Sequence, residues 1–166
     1  MVQMKQLLAS ALLVSGLALT ACSETENEST PVEEAALSFY TAPLINPNEA
    51  PEAVLAATAG LSSEDVAAIV SGRPFATMSD LHTIIGAGKD DAATRALYSV
   101  LFIKVGLNTG SEDDYKLIPS SLTPRHLAHE FDEYRPYASM DDFAREMSKY
   151  VSDAEVENLK RYVTLD

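Results

Sequence analysis

The sequence predicts an all-α protein whose folded part consists of two similar four-helix units. Three observations favour this fold class. A nine-residue stretch recurs 62 positions further along the chain, apolar residues follow helical spacing through both copies, and helix-capping residues precede the apolar runs. With 166 residues, 46% of them apolar and 22% charged, the chain has a globular composition and the length of one domain or two very small ones.

The repeat is clearest at two matching stretches. Residues 73–81 read RPFATMSDL and residues 135–143 read RPYASMDDF, and every position is identical or chemically similar. The same offset continues upstream without a gap and pairs Asn46 with Asn108. Because one register holds across a whole unit, chance is a poor explanation for the match. The predicted units are residues 44–106 and 107–166.

Capping residues predict where the helices begin. The expected starts are Asn48 or Glu49, Ser62, Ser79 and Asp90 or Asp91 in the first unit, and Ser111, Thr123, Ser139 and Ser152 or Asp153 in the second. Arg73 and Arg135 are each expected to end a helix, where a cation suits the helix dipole. Residues 101–103 also fit a strand, but we assign them to a helix end because residues 163–165 close a helix in the other unit. No β-sheet is predicted.

The first 21 residues have the pattern of a secretory signal. Lys5 precedes an apolar run at residues 7–19, which at ~1.5 Å per residue is too short to cross a ~30 Å hydrocarbon core. The run ends in Leu-Thr-Ala-Cys at residues 19–22, which resembles the lipobox of bacterial lipoproteins. The resemblance implies that Cys22 is acylated and becomes the first mature residue, attached to membrane lipid. Ser23, which is not the Asp that retains lipoproteins at the inner membrane, implies an outer-membrane protein facing the periplasm in a host with two membranes.

Residues 22–43 are predicted to be an acidic, flexible tether, since residues 23–31 contain no apolar side chain. The whole chain has a net charge of −13, and removing Lys5 with the signal makes it more negative. This charge argues against strong electrostatic binding to nucleic acid.

Five segments suggest a family. They are INPN at 45–48, GLS at 60–62, LNTGS at 107–111, LIP at 117–119 and EYRPY at 133–137. Together they resemble the helix-hairpin-helix family in the form found in competence-type DNA-uptake proteins. The resemblance covers both units and implies that each contains two helices joined by a hairpin. In DNA-binding members, hairpin glycines let backbone amides approach a phosphate.

The hairpins depart from that pattern where phosphate would bind. Gly60 and Leu61 are retained, but Ser62 stands where the second glycine belongs, and two carboxylates follow it. The second hairpin has two extra residues after Pro119 and neither glycine, and Pro124 lacks an N–H donor. Arg125 is its one favourable charge. If the chain does bind DNA, the resemblance implies Gly60, Leu61, Ser62 and Arg125 as the contacts.

Other chemistry is sparse. No catalytic residues, nucleotide-binding glycine motif or small-molecule site are predicted, and the chain is interpreted as a non-enzyme. His126 and His129 share a helix face with Glu130 at metal-ligand spacing, but no third protein ligand is evident and a solvated helix face explains them equally well. We therefore predict no metal and no cofactor.

The predicted function is that of a membrane-anchored, non-catalytic lipoprotein of the bacterial cell envelope, which uses a tandem helix-hairpin-helix scaffold to bind a protein partner. The alternative is a DNA-binding lipoprotein of the competence or DNA-uptake type. The two are distinguished by the hairpin chemistry and by whether folding gathers the basic residues into a patch. The expectation is weak or absent DNA binding.

Overall fold

The computed structural model describes residues 43–166, and this part of the chain is mainly helical, as predicted. The elements are α1 (Glu52–Ala56), α2 (Ser63–Gly72), α3 (Met78–Ile85), α4 (Asp91–Tyr98), β1 (Val105–Gly106), α5 (Glu112–Lys116), α6 (Pro124–Glu133), α7 (Met140–Met147), α8 (Asp153–Leu159) and β2 (Val163–Thr164). The signal, Cys22 and the tether up to residue 42 lie outside the described residues. No helix in the described part combines the length and apolar content needed to span a bilayer.

A small parallel sheet is present where we predicted helix ends. Strand β1 pairs with β2, with Val105 opposite Val163, and an isolated bridge joins Ile45 to Leu101. Helices α4 and α8 end at Tyr98 and Leu159, so the prediction of helix for residues 101–103 and 163–165 was wrong. The reason is tertiary. Each stretch exchanges backbone hydrogen bonds with a segment more than 50 residues away, as in the bond from the Ile45 N–H to the Val100 carbonyl (2.7 Å).

Most helix starts follow the predicted caps. The confirmed N-caps are Ser62, Asp90, Ser111, Thr123, Ser139 and Ser152, each accepting a hydrogen bond from a first-turn backbone N–H. The cap predicted at Ser79 was wrong, because Thr77 and Asp80 form a reciprocal capping box two residues earlier. The first helix begins at Glu52 and not at Asn48 or Glu49.

Asn48 stays outside the first helix because its side chain has another role. Its amide donates to the Phe75 carbonyl (2.9 Å) and accepts from the Phe75 N–H (2.8 Å). Asn108 makes the same pair of bonds with Tyr137. The two pairs are separated by 27 and 29 residues along the chain. Asn108 therefore corresponds to Asn48, and the gapless pairing of Asn46 with Asn108 was wrong, because the second half holds two more residues between these partners.

The two arginines before the proline residues bind the turn that precedes the first helix of each half. Arg73 donates to the carbonyls of Pro47 (2.6 Å) and Ala50 (2.7 Å). Arg135 donates in the same way to the carbonyls of Leu107 (2.9 Å) and Gly110 (2.5 Å). Both Arg-Pro peptide bonds are cis. Arg73 is the C-cap of α2 as expected, and Arg135 follows the C-cap of α6. Both side chains, however, bind carbonyls of a distant turn and not those that end their own helices.

One continuous apolar core joins the two halves of the chain. The Phe102 ring in the first half packs edge to face against Tyr162 of the second, with centroids 5.0 Å apart, and Tyr98 packs on the Phe102 ring in turn. A buried carboxylate adds a polar link, since Asp114 accepts from both the backbone N–H and the hydroxyl of Ser79, each at 2.8 Å.

Candidate functional site

The first hairpin loop, residues 57–62, joins α1 to α2 and contains the predicted contacts Gly60, Leu61 and Ser62. Gly60 has φ +90°, a left-handed conformation that suits glycine. The Ser62 N–H donates to Asp65 Oδ2 (2.9 Å), and the Asp65 N–H donates to Ser62 Oγ (3.1 Å). Two amides at the position where a phosphate would bind are therefore already bonded within the chain.

The Asp65 carboxylate dominates the electrostatics of this loop. Burial by itself raises its pKa, but hydrogen bonds from Ser62 and Lys89 outweigh burial and hold the pKa below its usual value. Lys89 lies 3.1 Å from Asp65 Oδ2 and also donates to the Ile85 carbonyl. The Lys89 ammonium is therefore already bonded within the chain, and the exposed Glu64 adds a further negative charge. The loop does not present an anion-binding surface.

The second hairpin loop, residues 117–123, joins α5 to α6 and contains the two extra serines. A carboxylate from the start of α8 lies in this loop. Glu155 Oε1 accepts from the Ser120 hydroxyl (2.7 Å) and the Ser121 N–H (2.6 Å), and Oε2 accepts from the Ser121 hydroxyl (2.5 Å). These donors form the kind of pocket that binds an anionic oxygen, and the protein's own glutamate occupies it.

Several groups keep Glu155 ionised. Burial raises the pKa of its carboxyl, but the hydrogen bonds from Ser121 and Ser120, with the positive charge of Arg95, lower it overall. Arg95 also donates to the Ser120 carbonyl, which connects α4 to the loop. An external phosphate would have to displace a charged, well-bonded carboxylate that belongs to the chain itself.

The predicted DNA contacts are not gathered into one site. Gly60, Leu61 and Ser62 belong to the first hairpin loop, whereas Arg125 is exposed on the first turn of α6 after the second loop. Most other candidate cations bond within the chain. Those whose side chains donate to other groups of the described part are Arg73, Lys89, Arg95, Arg135, Arg145, Lys149, Lys160 and Arg161. The described residues therefore offer few cations without an internal role.

A surface groove of about 530 Å³ lies next to the second hairpin loop. It is lined by small residues of α4, including Ala92 and Ala96, and by Pro119 and Tyr162. Arg95 and Glu155 add one charge of each sign to the lining. A groove lined by apolar surface and a few polar groups suits a peptide segment or another protein's side chains better than a polyanion.

The predicted histidine group is present on one face of α6. His126 Nε2 lies 3.1 Å from Glu130 Oε1, and His129 Nε2 lies 3.3 Å from Glu133 Oε2. Glu133 is the residue that sequence reasoning missed as a partner. The i, i+4 spacing from His129 was its available signal.

The roles of Glu155 and Asp114 were also missed. Local patterns assign both to the first turn of their own helices, where Ser152 and Ser111 do cap the backbone. Their carboxylates bond to residues 34 or 35 positions away, for which the sequence gives no local signal. No family model, curated protein or solved structure matches the chain. The functional argument therefore depends on these contacts and on the sequence motifs.

Proposed function

We propose that the chain is a lipid-anchored, non-catalytic lipoprotein of the bacterial cell envelope that binds a protein partner through a tandem helix-hairpin-helix scaffold. In this proposal, Cys22 is the acylated residue, residues 22–43 are the tether, and the described helices form the binding body. The single observation that carries the proposal is the occupation of the second hairpin loop by Glu155.

The tandem organisation is supported by contacts that recur in the two halves. Asn48 and Asn108 each bracket an aromatic residue that follows a cis Arg-Pro bond, and Arg73 and Arg135 each bind two carbonyls of the preceding turn. These are long-range contacts between corresponding residues, which helix propensity alone does not produce. A duplicated unit is the simplest origin for them, with 44–106 as the first copy and 107–166 as the second.

The hairpins serve as structural connections in this proposal. In the first loop the Ser62 amide is bonded to Asp65, and in the second loop the Ser121 amide is bonded to Glu155. Amides that already donate to internal carboxylates gain little from a phosphate. The negative carboxylates would also repel the phosphate. Among residues 43–166, the Ser62 and Ser121 amides and most cations already have internal partners, which counts against the alternative function, DNA binding of the uptake type.

The groove beside the second hairpin loop is the expected contact surface. To test it, a photo-crosslinking amino acid is placed at Ala96, an exposed groove residue, in cells that express the full chain. The expected result is a discrete crosslinked species containing one protein partner. The same probe at Ala67, an exposed alanine of α2 that does not line the groove, is the matched control and is expected to give no such species.

A substitution that fills the groove distinguishes a partner bound in the groove from a protein that is merely near the probe. Ala92→Arg places a long side chain in the groove and is expected to abolish the crosslink from Ala96, whereas Ala67→Arg leaves it unchanged. Crosslinks of equal strength from Ala96 and Ala67, or insensitivity to Ala92→Arg, would contradict the proposed surface.

A further inference from the structure

A buried carboxylate on α6 has an oxygen that the fold leaves unused. Glu130 is only 4% exposed, and its Oε2 atom is buried without a hydrogen-bond partner among the described residues. Its other oxygen, Oε1, contacts His126 Nε2 at 3.1 Å. Buried carboxylate oxygens are normally satisfied, because desolvation without a partner costs free energy. An unused buried acceptor therefore requires a reason.

The groups around Glu130 are two tyrosines, a histidine and a lysine that pairs elsewhere. Tyr134 and Tyr150 bond to each other through their hydroxyls at 2.7 Å, and the His126 ring stands edge-on to Tyr150, with centroids 5.8 Å apart. Lys149, the nearby cation, lies over the Tyr134 ring at 4.6 Å and pairs with Glu146. Among the described residues, no ion pair joins a lysine or arginine to Glu130, whose carboxylate contacts His126 Nε2 and is hydrogen-bonded to the Tyr150 hydroxyl.

Two further ligand atoms lie beside Glu130. One ligand atom each from His129, Glu130 and Glu133 can be chosen so that all three lie within 4.8 Å of one another. His129 and Glu133 have 68% and 52% exposed side chains, so they can adjust their positions and an ion can enter from solvent. One imidazole and two carboxylates with open positions form a donor set that zinc uses, whereas magnesium and calcium prefer oxygen ligands alone.

We propose that His129, Glu130 and Glu133 form a binding site for a divalent first-row transition metal, with zinc as the favoured ion. Glu130 supplies a carboxylate oxygen from the buried side, and the exposed His129 and Glu133 close the site from the solvent side. His126 holds the second oxygen of Glu130 and so positions the carboxylate as an outer-shell partner. A solvated helix face explains the exposed pair, but it does not explain why Glu130 Oε2 is buried and unpaired. The site is independent of the proposed protein binding.

The test measures zinc binding to the full chain, purified in detergent and freed of metal by chelation. Zinc alone is titrated at neutral pH in competition with a chromophoric chelator. The expected result is one tight site per chain, with calcium and magnesium failing to compete. His129→Gln and Glu133→Gln are each expected to weaken zinc binding by at least about tenfold.

Glu157→Gln is the matched control, because Glu157 is an exposed glutamate of α8 whose partner is Lys160. This variant is expected to bind zinc like the unaltered chain. His129 and Glu133 are exposed, so their substitution leaves the core intact, and circular dichroism of each variant verifies the fold. Glu130→Gln keeps the side-chain shape and is expected to lose zinc binding while retaining the helical spectrum.

The zinc X-ray absorption spectrum identifies the ligands. The proposal expects nitrogen and oxygen neighbours at about 2.0–2.2 Å, with the imidazole signal lost in His129→Gln. A sulfur shell at about 2.3 Å would assign the ion to Cys22 and overturn the proposal. Absence of stoichiometric binding, or binding that His129→Gln and Glu133→Gln leave unchanged, would overturn it as well.

Discussion

At the scale of single residues, side-chain hydrogen bonds from two arginines and two asparagines fix the turns that precede α1 and α5. The residues are Arg73, Arg135, Asn48 and Asn108. Arg135 binds two backbone carbonyls and also stacks over the Tyr115 ring at 4.7 Å from its centroid. Buried carbonyls without a donor are costly, so the guanidinium satisfies groups that the turn cannot satisfy itself. The sequence marked Arg73 and Arg135 as recurring, but it could not identify carbonyls more than 20 residues away as their partners.

Removing the Arg135 side chain should destabilise the fold. We expect Arg135→Ala to lower the free energy of unfolding by about 1–3 kcal/mol, because two carbonyls lose a charged donor. Arg135→Lys should recover little of this, since an ammonium cannot reproduce the planar fork. Urea denaturation followed by circular dichroism measures the effect.

The matched control for this prediction is Arg145→Ala, which removes an arginine with a 65% exposed side chain from α7. Its urea midpoint should stay close to that of the unaltered chain. Equal urea midpoints for Arg135→Ala and Arg145→Ala would show that the hydrogen bonds from Arg135 to the two carbonyls do not stabilise the fold.

At the scale of elements, α5 is connected to α3 through a buried carboxylate. Asp114 accepts from Ser111 in its own helix cap and from the N–H and hydroxyl of Ser79 in α3. Burial raises the pKa of the Asp114 carboxyl, but these hydrogen bonds outweigh burial and hold the pKa below the ordinary 3.8. The contact also gives a partner to the Ser79 N–H, a first-turn amide of α3 that has no acceptor within its own helix.

This contact makes stability depend on pH. Because the pKa of Asp114 is lower in the folded state, the unfolded chain takes up the proton first as pH falls, and stabilisation is lost from about pH 4 downward toward the folded-state pKa. We expect the free energy of unfolding to fall over this range and Asp114→Asn to flatten the fall. Urea denaturation at a series of pH values measures it.

Asp113→Asn is the control, since Asp113 precedes Asp114 on the same helix with 80% of its side chain exposed. It should leave the pH profile nearly unchanged. If both variants show the same profile as the unaltered chain, Asp114 is not the group that carries the dependence.

The elements were predicted well where local signals determine them and poorly where distant pairing does. Ser62, Ser139 and Thr123 cap helices as expected, because the cap bond joins residues three apart. Residues 163–165 were predicted as helix, but Val163 and Thr164 pair with a strand that is far away in sequence. Short β-branched stretches take the conformation that their partner requires.

At the scale of the whole molecule, carboxylates of the chain itself bond to the amides of both loops, and in the proposed function a lipid anchor at Cys22 attaches this body to a membrane. The motifs drew attention to both loops and to their missing glycines, but Glu155 as the occupant of the second loop appears only in the folded chain. The sequence shows the two extra serines, but it does not show that they donate hydrogen bonds to Glu155.

The anchor prediction concerns Cys22. We expect Cys22→Ser to abolish labelling by an alkyne palmitate analogue and to leave the signal uncleaved, because the acylated residue and the cleavage point are the same position. Gel fluorescence and membrane fractionation measure both effects. Ser23→Ala, a neighbouring substitution that keeps the cysteine, should label normally, and equal labelling of Cys22→Ser would exclude the anchor.

Binding of duplex DNA is the most direct test of the central claim, which is that the hairpins are scaffold and not phosphate sites. The measurement is fluorescence anisotropy of a labelled duplex titrated with the chain that begins at Ser23, across a salt series. We expect no binding at physiological salt, because the chain is strongly acidic and Glu155 already accepts from the donors of the second hairpin loop. A dissociation constant below about 10⁻⁶ M at physiological salt, weakened by added salt and by Arg125→Glu, would contradict the account and favour the DNA-uptake alternative.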